Sequence, residues 1–181
     1  MGNMKKITLT IFVVLLILTA VFVGVFFLTF KTSYENIVET ASKNYNIDKS
    51  LIYAVIKAES KFNDNAKSKA NAIGLMQVKL STANYMLELN NESALTENEL
   101  FIPETNIKIG TQYLSYLINK FENLEVSICA YNAGETVVRE WLNNKEYSQN
   151  GKTLTAIPYA ETANYLKKVK FNYGVYKKLL M

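Results

Sequence analysis

The chain has 181 residues, no histidine and a single cysteine. Without histidine there is no Ser–His–Asp triad and no histidine-ligated metal site. One cysteine, Cys129, cannot make an intrachain disulfide or a multi-cysteine metal site. In VSICAYNAG it follows an apolar position and reads as a small core residue. No metal and no cofactor is expected. Only two prolines occur, Pro103 and Pro158, which leaves long stretches free to be helical. Aspartate is as scarce, with Asp48 and Asp64 alone, and this limits where a second catalytic carboxylate can come from. The net charge of +4 is small, and Lys5 and Lys6 supply part of it ahead of the main body. The basic residues form no stripe, so a nucleic-acid partner is not expected. There is no Gly/Ser-rich or Pro-rich linker, no internal repeat and no convincing run of period-two alternation.

Ile7 to Phe30, ITLTIFVVLLILTAVFVGVFFLTF, contains no charge. As a helix it would reach about 36 Å, against a hydrocarbon core of about 30 Å. Its apolar residues lie all round the helix, as lipid requires. A cleaved signal peptide has a shorter apolar region, and cutting after Ala20 would leave VFVGVFFLTF on the product. The segment therefore reads as an uncleaved anchor over 7–30. Lys5 and Lys6 favour a cytoplasmic segment 1–6, with residues 31–181 outside the cytoplasm.

The remainder reads as mostly helical. Helical spacing appears in TSYENIVETASKNYNI, then over Asp48–Phe62 with Asp48 as N-cap. NDNAKSKANAIG is a turn-rich loop. Ser81 and Thr82 are expected to cap a helix running to about Leu89. Pro103 opens another helix, a short one ends near Ala130, and Thr136–Asn143 is the next, with Trp141 as a core anchor. A last helix follows Pro158 through Tyr165 and Val169.

One residue breaks this pattern. At 100° per residue, Leu51, Ile52, Ala54, Val55, Ala58 and Phe62 share a face, and Glu59 lies inside that apolar arc. A carboxyl there loses hydration, which favours its neutral form and raises its pKa. Such a group can act as a general acid near neutral pH. The plainer alternative is a glutamate at the edge of the stripe, its head in water or paired with a lysine.

Five segments settle which reading to prefer. AVIKAESKF (54–62), SKANAIGLMQVKLSTA (68–83), LFIPETNIKIGTQYLSYL (100–117), AYNAG (130–134) and IPYAETANYLKKV (157–169) occur in this order. Together they resemble the soluble lytic transglycosylase family over roughly residues 36–176. The resemblance implies a mainly α, lysozyme-like domain behind the single N-terminal transmembrane helix. It implies cleavage of the β-1,4 bond between N-acetylmuramic acid and N-acetylglucosamine in peptidoglycan, ending in a 1,6-anhydro sugar. By position, Glu59 matches the catalytic glutamate. Ser68, Met76 and Gln77 match groove residues, Tyr131 and Asn132 match the pocket wall, and Glu161 matches a supporting glutamate. Expected partners are glycan strands, the membrane and a cell-envelope complex.

The chain departs from the family pattern at Asn71, Leu80, Glu135–Thr136, Ala160 and Ala163, which bears on loop shape and peptide preference. Bland roles stand beside the functional ones: Met76 as core filler, Tyr131 as packing, Glu161 as an acid complementing a helix dipole. Two rival functions remain. One is a lysozyme-type hydrolase, which needs help from Asp64 or Glu161. The other is a catalytically silent glycan-binding module.

Overall fold

The computed structural model describes residues 2–181, without the side chains of residues 2–5, 8 and 27. Met1 and the Lys5 side chain, both part of the expected cytoplasmic segment, lie outside the described residues. The chain divides into two compact units, one ending at Ser33 and the other spanning Tyr34–Met181.

The first unit is the single helix α1 (Gly2–Thr29). Its window Leu9–Phe26 has a mean hydropathy of 3.0 and is long and apolar enough to cross a membrane.

The second unit is helical apart from one small hairpin. α2 (Glu35–Tyr45) leads into α3 (Lys49–Glu59). Asp48 caps α3 as expected, its Oδ1 accepting from the Ser50 N–H at 2.8 Å. The helix ends earlier than the periodicity suggested. Ser60 turns its hydroxyl back to the Ile56 carbonyl and accepts the Phe62 N–H, and Lys61 and Phe62 then take left-handed angles. Glu59 is thereby the last residue of α3.

The hairpin pairs β1 (Ala72–Ile73) with β2 (Val78–Lys79). α4 (Leu80–Glu88) follows directly. Ser81 and Thr82 do not cap it, because the helix has begun before them, after Lys79, with no side-chain cap. A single turn, α5 (Glu97–Leu100), closes on a capping box between Thr96 and Glu99. α6 (Pro103–Phe121) starts at its proline. α7 (Leu124–Ala133) runs past Ala130, so Tyr131 and Asn132 sit in its last turn. α8 (Glu135–Asn143) carries Trp141 inward, and α9 (Ala160–Leu179) completes the unit.

α3 is the buried centre. Leu51 to Ile56 are all nearly inaccessible. α9 returns along it antiparallel. Tyr173 donates to Asp48 at 2.9 Å, Asn172 to the Ala54 carbonyl at 3.3 Å, and Lys168 to the Ala58 carbonyl at 3.0 Å. Tyr53 and Tyr176 stack at 5.3 Å within this contact. The same register brings Tyr165 to Glu59.

Candidate active site

Glu59 closes α3, and four other stretches converge on it. A cleft of 280 Å³ is bordered by Glu59, Ser68, Gln77, Tyr131, Asn132 and Glu161. Six of the seven residues singled out in the sequence thus share one hollow. A second opening of 340 Å³ also reaches Glu59, Asn132 and Glu161, and its far wall is Tyr165 and Lys168 of α9. A larger hollow of 630 Å³ beside Lys120 and Arg139 contains none of the seven.

Met76 is the exception and the sequence expectation is corrected here. Its side chain is 0% exposed and lies against Gly110, where an added Cβ would be 2.6 Å from the sulfur. A fully buried thioether cannot touch a glycan. Met76 serves the cleft through its backbone, whose carbonyl accepts from the Tyr131 hydroxyl at 2.9 Å.

One buried side chain holds the hairpin in place. Asn106 of α6 is 0% exposed. Its Nδ2 donates to the Ile73 and Leu100 carbonyls, and its Oδ1 accepts from the Met76 N–H, each at 2.8 Å. Gly74, at φ +74°, lets the turn press onto that amide, since a Cβ there would lie 2.4 Å from Nδ2. Gln77 then adopts a left-handed φ of 49°, a strained setting for a non-glycine residue. Its Nε2 donates to the Ala66 and Gly74 carbonyls at 3.1 and 3.0 Å. Both amide protons are thus committed, and what Gln77 can offer the cleft is its carbonyl oxygen, an acceptor.

Asn132 offers the opposite chemistry. Its Oδ1 accepts from the Thr162 hydroxyl at 2.7 Å, tying α7 to α9 and leaving the amide N–H groups as donors. Ser68 Oγ accepts from the Ala72 N–H at 3.0 Å and keeps a proton to donate. The Tyr131 ring leans on Tyr113, centroids 5.4 Å apart, and burial pushes both phenols up.

The electrostatics centre on Glu59. Its pKa is raised to about 7, chiefly by burial, with a further upward push from the Glu161 carboxylate. Two groups oppose this. The buried Tyr165 hydroxyl faces the carboxyl and lowers its pKa, although it closes no hydrogen bond of normal length. The Lys168 ammonium, held on the neighbouring Ala58 carbonyl, lowers it as well. The result is a carboxyl poised to hold or release a proton near neutrality.

Sequence reasoning missed several residues. Lys79, Thr82 and Tyr113 border the cleft, and Tyr165 and Lys168 flank the acid. The last two had a signal: Glu161, Tyr165 and Lys168 fall at i, i+4 and i+7, one face of α9. Asp64 does not border the cleft. It accepts from the Tyr34 hydroxyl at 3.2 Å and the Asn65 amide at 2.8 Å. Among the described residues no cluster of acids and thiols could hold a metal ion.

Known proteins resemble this arrangement. The soluble lytic murein transglycosylase of Escherichia coli is 34% identical over 155 residues, covering 84% of this chain and 24% of that protein. Membrane-bound lytic murein transglycosylase E of Buchnera aphidicola is 40% identical over 95 residues, 51% of this chain and 43% of that one. The lytic transglycosylase Slt of Pseudomonas aeruginosa, solved as an inactive mutant with one glutamate changed to glutamine, superposes with a TM-score of 0.73. It is 28% identical, and the match covers 83% of this chain and 25% of that one. This chain thus spans about a quarter of the length of the soluble relatives it matches. The transglycosylase SLT domain model matches residues 36–155, stopping short of α9, which brings Glu161, Tyr165 and Lys168. The cleft hairpin, the turn that ends α3 and the last turn of α7 all fall within that match, and the chain belongs to the transglycosylase SLT domain family.

Proposed function

We propose that the chain is a membrane-anchored lytic transglycosylase. It cleaves the β-1,4 bond between N-acetylmuramic acid and N-acetylglucosamine in peptidoglycan and leaves a 1,6-anhydromuramic end. The observation that carries this reading is a largely buried carboxyl, Glu59, with a pKa of about 7, opening on a cleft lined by polar groups.

Ordinary glycosidases need two carboxyl groups, an acid and a nucleophile or base. One suffices when the sugar supplies its own nucleophile. Neutral Glu59 donates its proton to the glycosidic oxygen as the C1–O bond breaks. The C6 hydroxyl of the same muramyl residue forms the new bond to C1. Its proton passes to the Glu59 carboxylate, which restores the acid, and no water is consumed. The Gln77 carbonyl oxygen accepts from a sugar hydroxyl or N–H, and the Asn132 amide and Ser68 hydroxyl donate to sugar oxygens. Tyr131 offers an aromatic wall. Glu161 acts on Glu59 through its charge, keeping the proton on. The Pseudomonas neighbour, inactive with one glutamate changed to glutamine, supports a reaction that rests on a single acid.

α1 anchors the enzyme. Its uncharged stretch from Ile7 onward and the two lysines of its first turns, Lys5 and Lys6, support a cytoplasmic N-terminus, with the catalytic unit facing the wall. The Buchnera relative described as membrane-bound is in keeping with this.

Mass spectrometry of peptidoglycan digested by the full chain in detergent tests the reaction. Fragments lighter by one water than reducing-ended ones, absent with Glu59→Gln, are expected. Reducing-ended fragments would mean hydrolysis. Glycan binding without any cleavage would mean a silent module.

A further inference from the structure

Lys79 is the one charged cleft residue that the reaction described above leaves idle. It sits on β2 directly opposite Ala72 of β1. Directly opposed residues of an antiparallel pair project to the same face. The other pair, Ile73 and Val78, is buried in the core, so Ala72 and Lys79 face the other way, toward the cleft they both border. Beside Lys79 this wall carries the small side chains of Ser68, Ala70 and Ala72. There is room here for a substituent that protrudes from a sugar ring.

Nothing in the fold calls for a cation at this place. Lys79 immediately precedes α4, where positive charge opposes the helix dipole and where Ser, Thr, Asp or Asn would cap better. The side chain is exposed and makes no ion pair or side-chain hydrogen bond among the described residues. It does not tune the acid either. The groups that act on Glu59 are Tyr165, Lys168 and Glu161, all on α9, across the cleft from the hairpin. Lys168, the other lysine near Glu59, is tied to the Ala58 carbonyl. Lys79 has no such tether.

A glycan of N-acetylated sugars is neutral. Its muramyl residues differ from their neighbours by a lactyl arm, which ends in its own carboxylate or carries a peptide with carboxylates of its own. We propose that Lys79 is a specificity residue that binds a carboxylate borne on the lactyl arm of the muramyl residue. This rests on the function proposed above, and it fixes which sugar lies against the hairpin wall. A muramyl residue held there presents its C6 hydroxyl to the same cleft as Glu59, which the anhydro-forming step requires.

Binding measured on the Glu59→Gln full chain in detergent micelles separates this proposal from the catalytic reading, since no cleavage is needed. Three probes are used: peptide-bearing glycan strands, strands stripped of peptide to free the lactyl acid, and neutral oligomers of N-acetylglucosamine. Adding Lys79→Gln is expected to weaken binding of a carboxylate-bearing strand about fivefold and to leave the neutral oligomer unchanged. Lys79→Arg restores the affinity, and high salt erases the difference. Loss on the peptide-bearing strand alone assigns the carboxylate to the peptide. Loss on the stripped strand alone assigns it to the arm itself. Equal loss on all three probes, no loss on either charged strand, or no binding of either charged strand overturns the proposal. Unchanged Trp141 fluorescence and circular dichroism confirm that each variant is folded.

Discussion

If Glu59 is held neutral by burial, the fold bears a cost that one substitution removes. A carboxyl whose pKa rises from 4.5 to about 7 binds its proton more tightly in the folded chain than in the unfolded one. Below pH 4.5 both states are protonated and there is no penalty. Between pH 4.5 and 7 the unfolded chain has released a proton that the folded chain keeps, so stability falls as pH rises. Above about pH 7 the loss is complete and amounts to about 3 kcal/mol. Glu59→Gln mimics the neutral acid at every pH. The variant should match wild type near pH 4 and exceed it by up to about 3 kcal/mol at pH 8. For a domain of this size that is a gain on the order of 10 °C in Tm.

The assay is thermal or urea unfolding of the full chain in micelles at pH 4, 6 and 8. It is followed by fluorescence of Trp141, the only tryptophan, which is 5% exposed. Other groups titrate across this range, but they cancel in the difference between the two proteins. A difference that does not grow between pH 4 and pH 8, or a variant less stable at pH 8, would refute the claim that burial holds the proton. Activity should be lost in that same variant, so stability and function move in opposite directions at one residue.

Other expectations follow from the same geometry. The rate of glycan cleavage should fall as pH rises through about 7, as the Glu59 proton is lost. Tyr165→Phe removes a group that lowers the Glu59 pKa, so the alkaline limb of the pH–rate profile should move upward while the fold keeps its stability at acid pH. Asn106→Ala would leave the Met76 N–H and the Ile73 and Leu100 carbonyls unpaired in the core, a loss of about 3 kcal/mol or more on urea titration. Gly110→Ala would drive a methyl into the Met76 side chain at 2.6 Å and should cost about 1–3 kcal/mol by the same titration.

Much of the helical frame was legible because its signals are local. Asp48 caps, Pro103 opens a helix, and the 100° periodicity sets Glu59 among apolar neighbours. The hairpin was not legible. Its strands are two residues each, too short for alternation to show, and its turn depends on left-handed angles at Gly74 and Gln77. Those angles decide which side chains face the cleft. They put Met76 inward against Gly110, where the resemblance had matched it to the groove, and Lys79, which the sequence reading did not single out, outward at the cleft. Tyr113 also escaped notice, because on α6 it looks like one more aromatic at core spacing. Only the approach of Tyr131 from α7 makes it part of the wall.

The position of the acid in its helix sharpens the chemical argument. Glu59 ends α3, so its carboxyl stands near the negative end of the helix dipole, with Glu161 across the cleft and little water around it. All three conditions favour the neutral form. Left alone they would keep the proton on at neutral pH but make it hard to give up, since donating it would leave a carboxylate that the site could not tolerate. α9 supplies the counterweight. Tyr165 and Lys168 favour the charged form from the side opposite the hairpin. A reaction in which one group first gives and then recovers a proton needs both pressures at once. That is why the acid sits on one helix and its restraint on another, and why α9, beyond the matched stretch of residues 36–155, is as much a part of the site as the motifs within it.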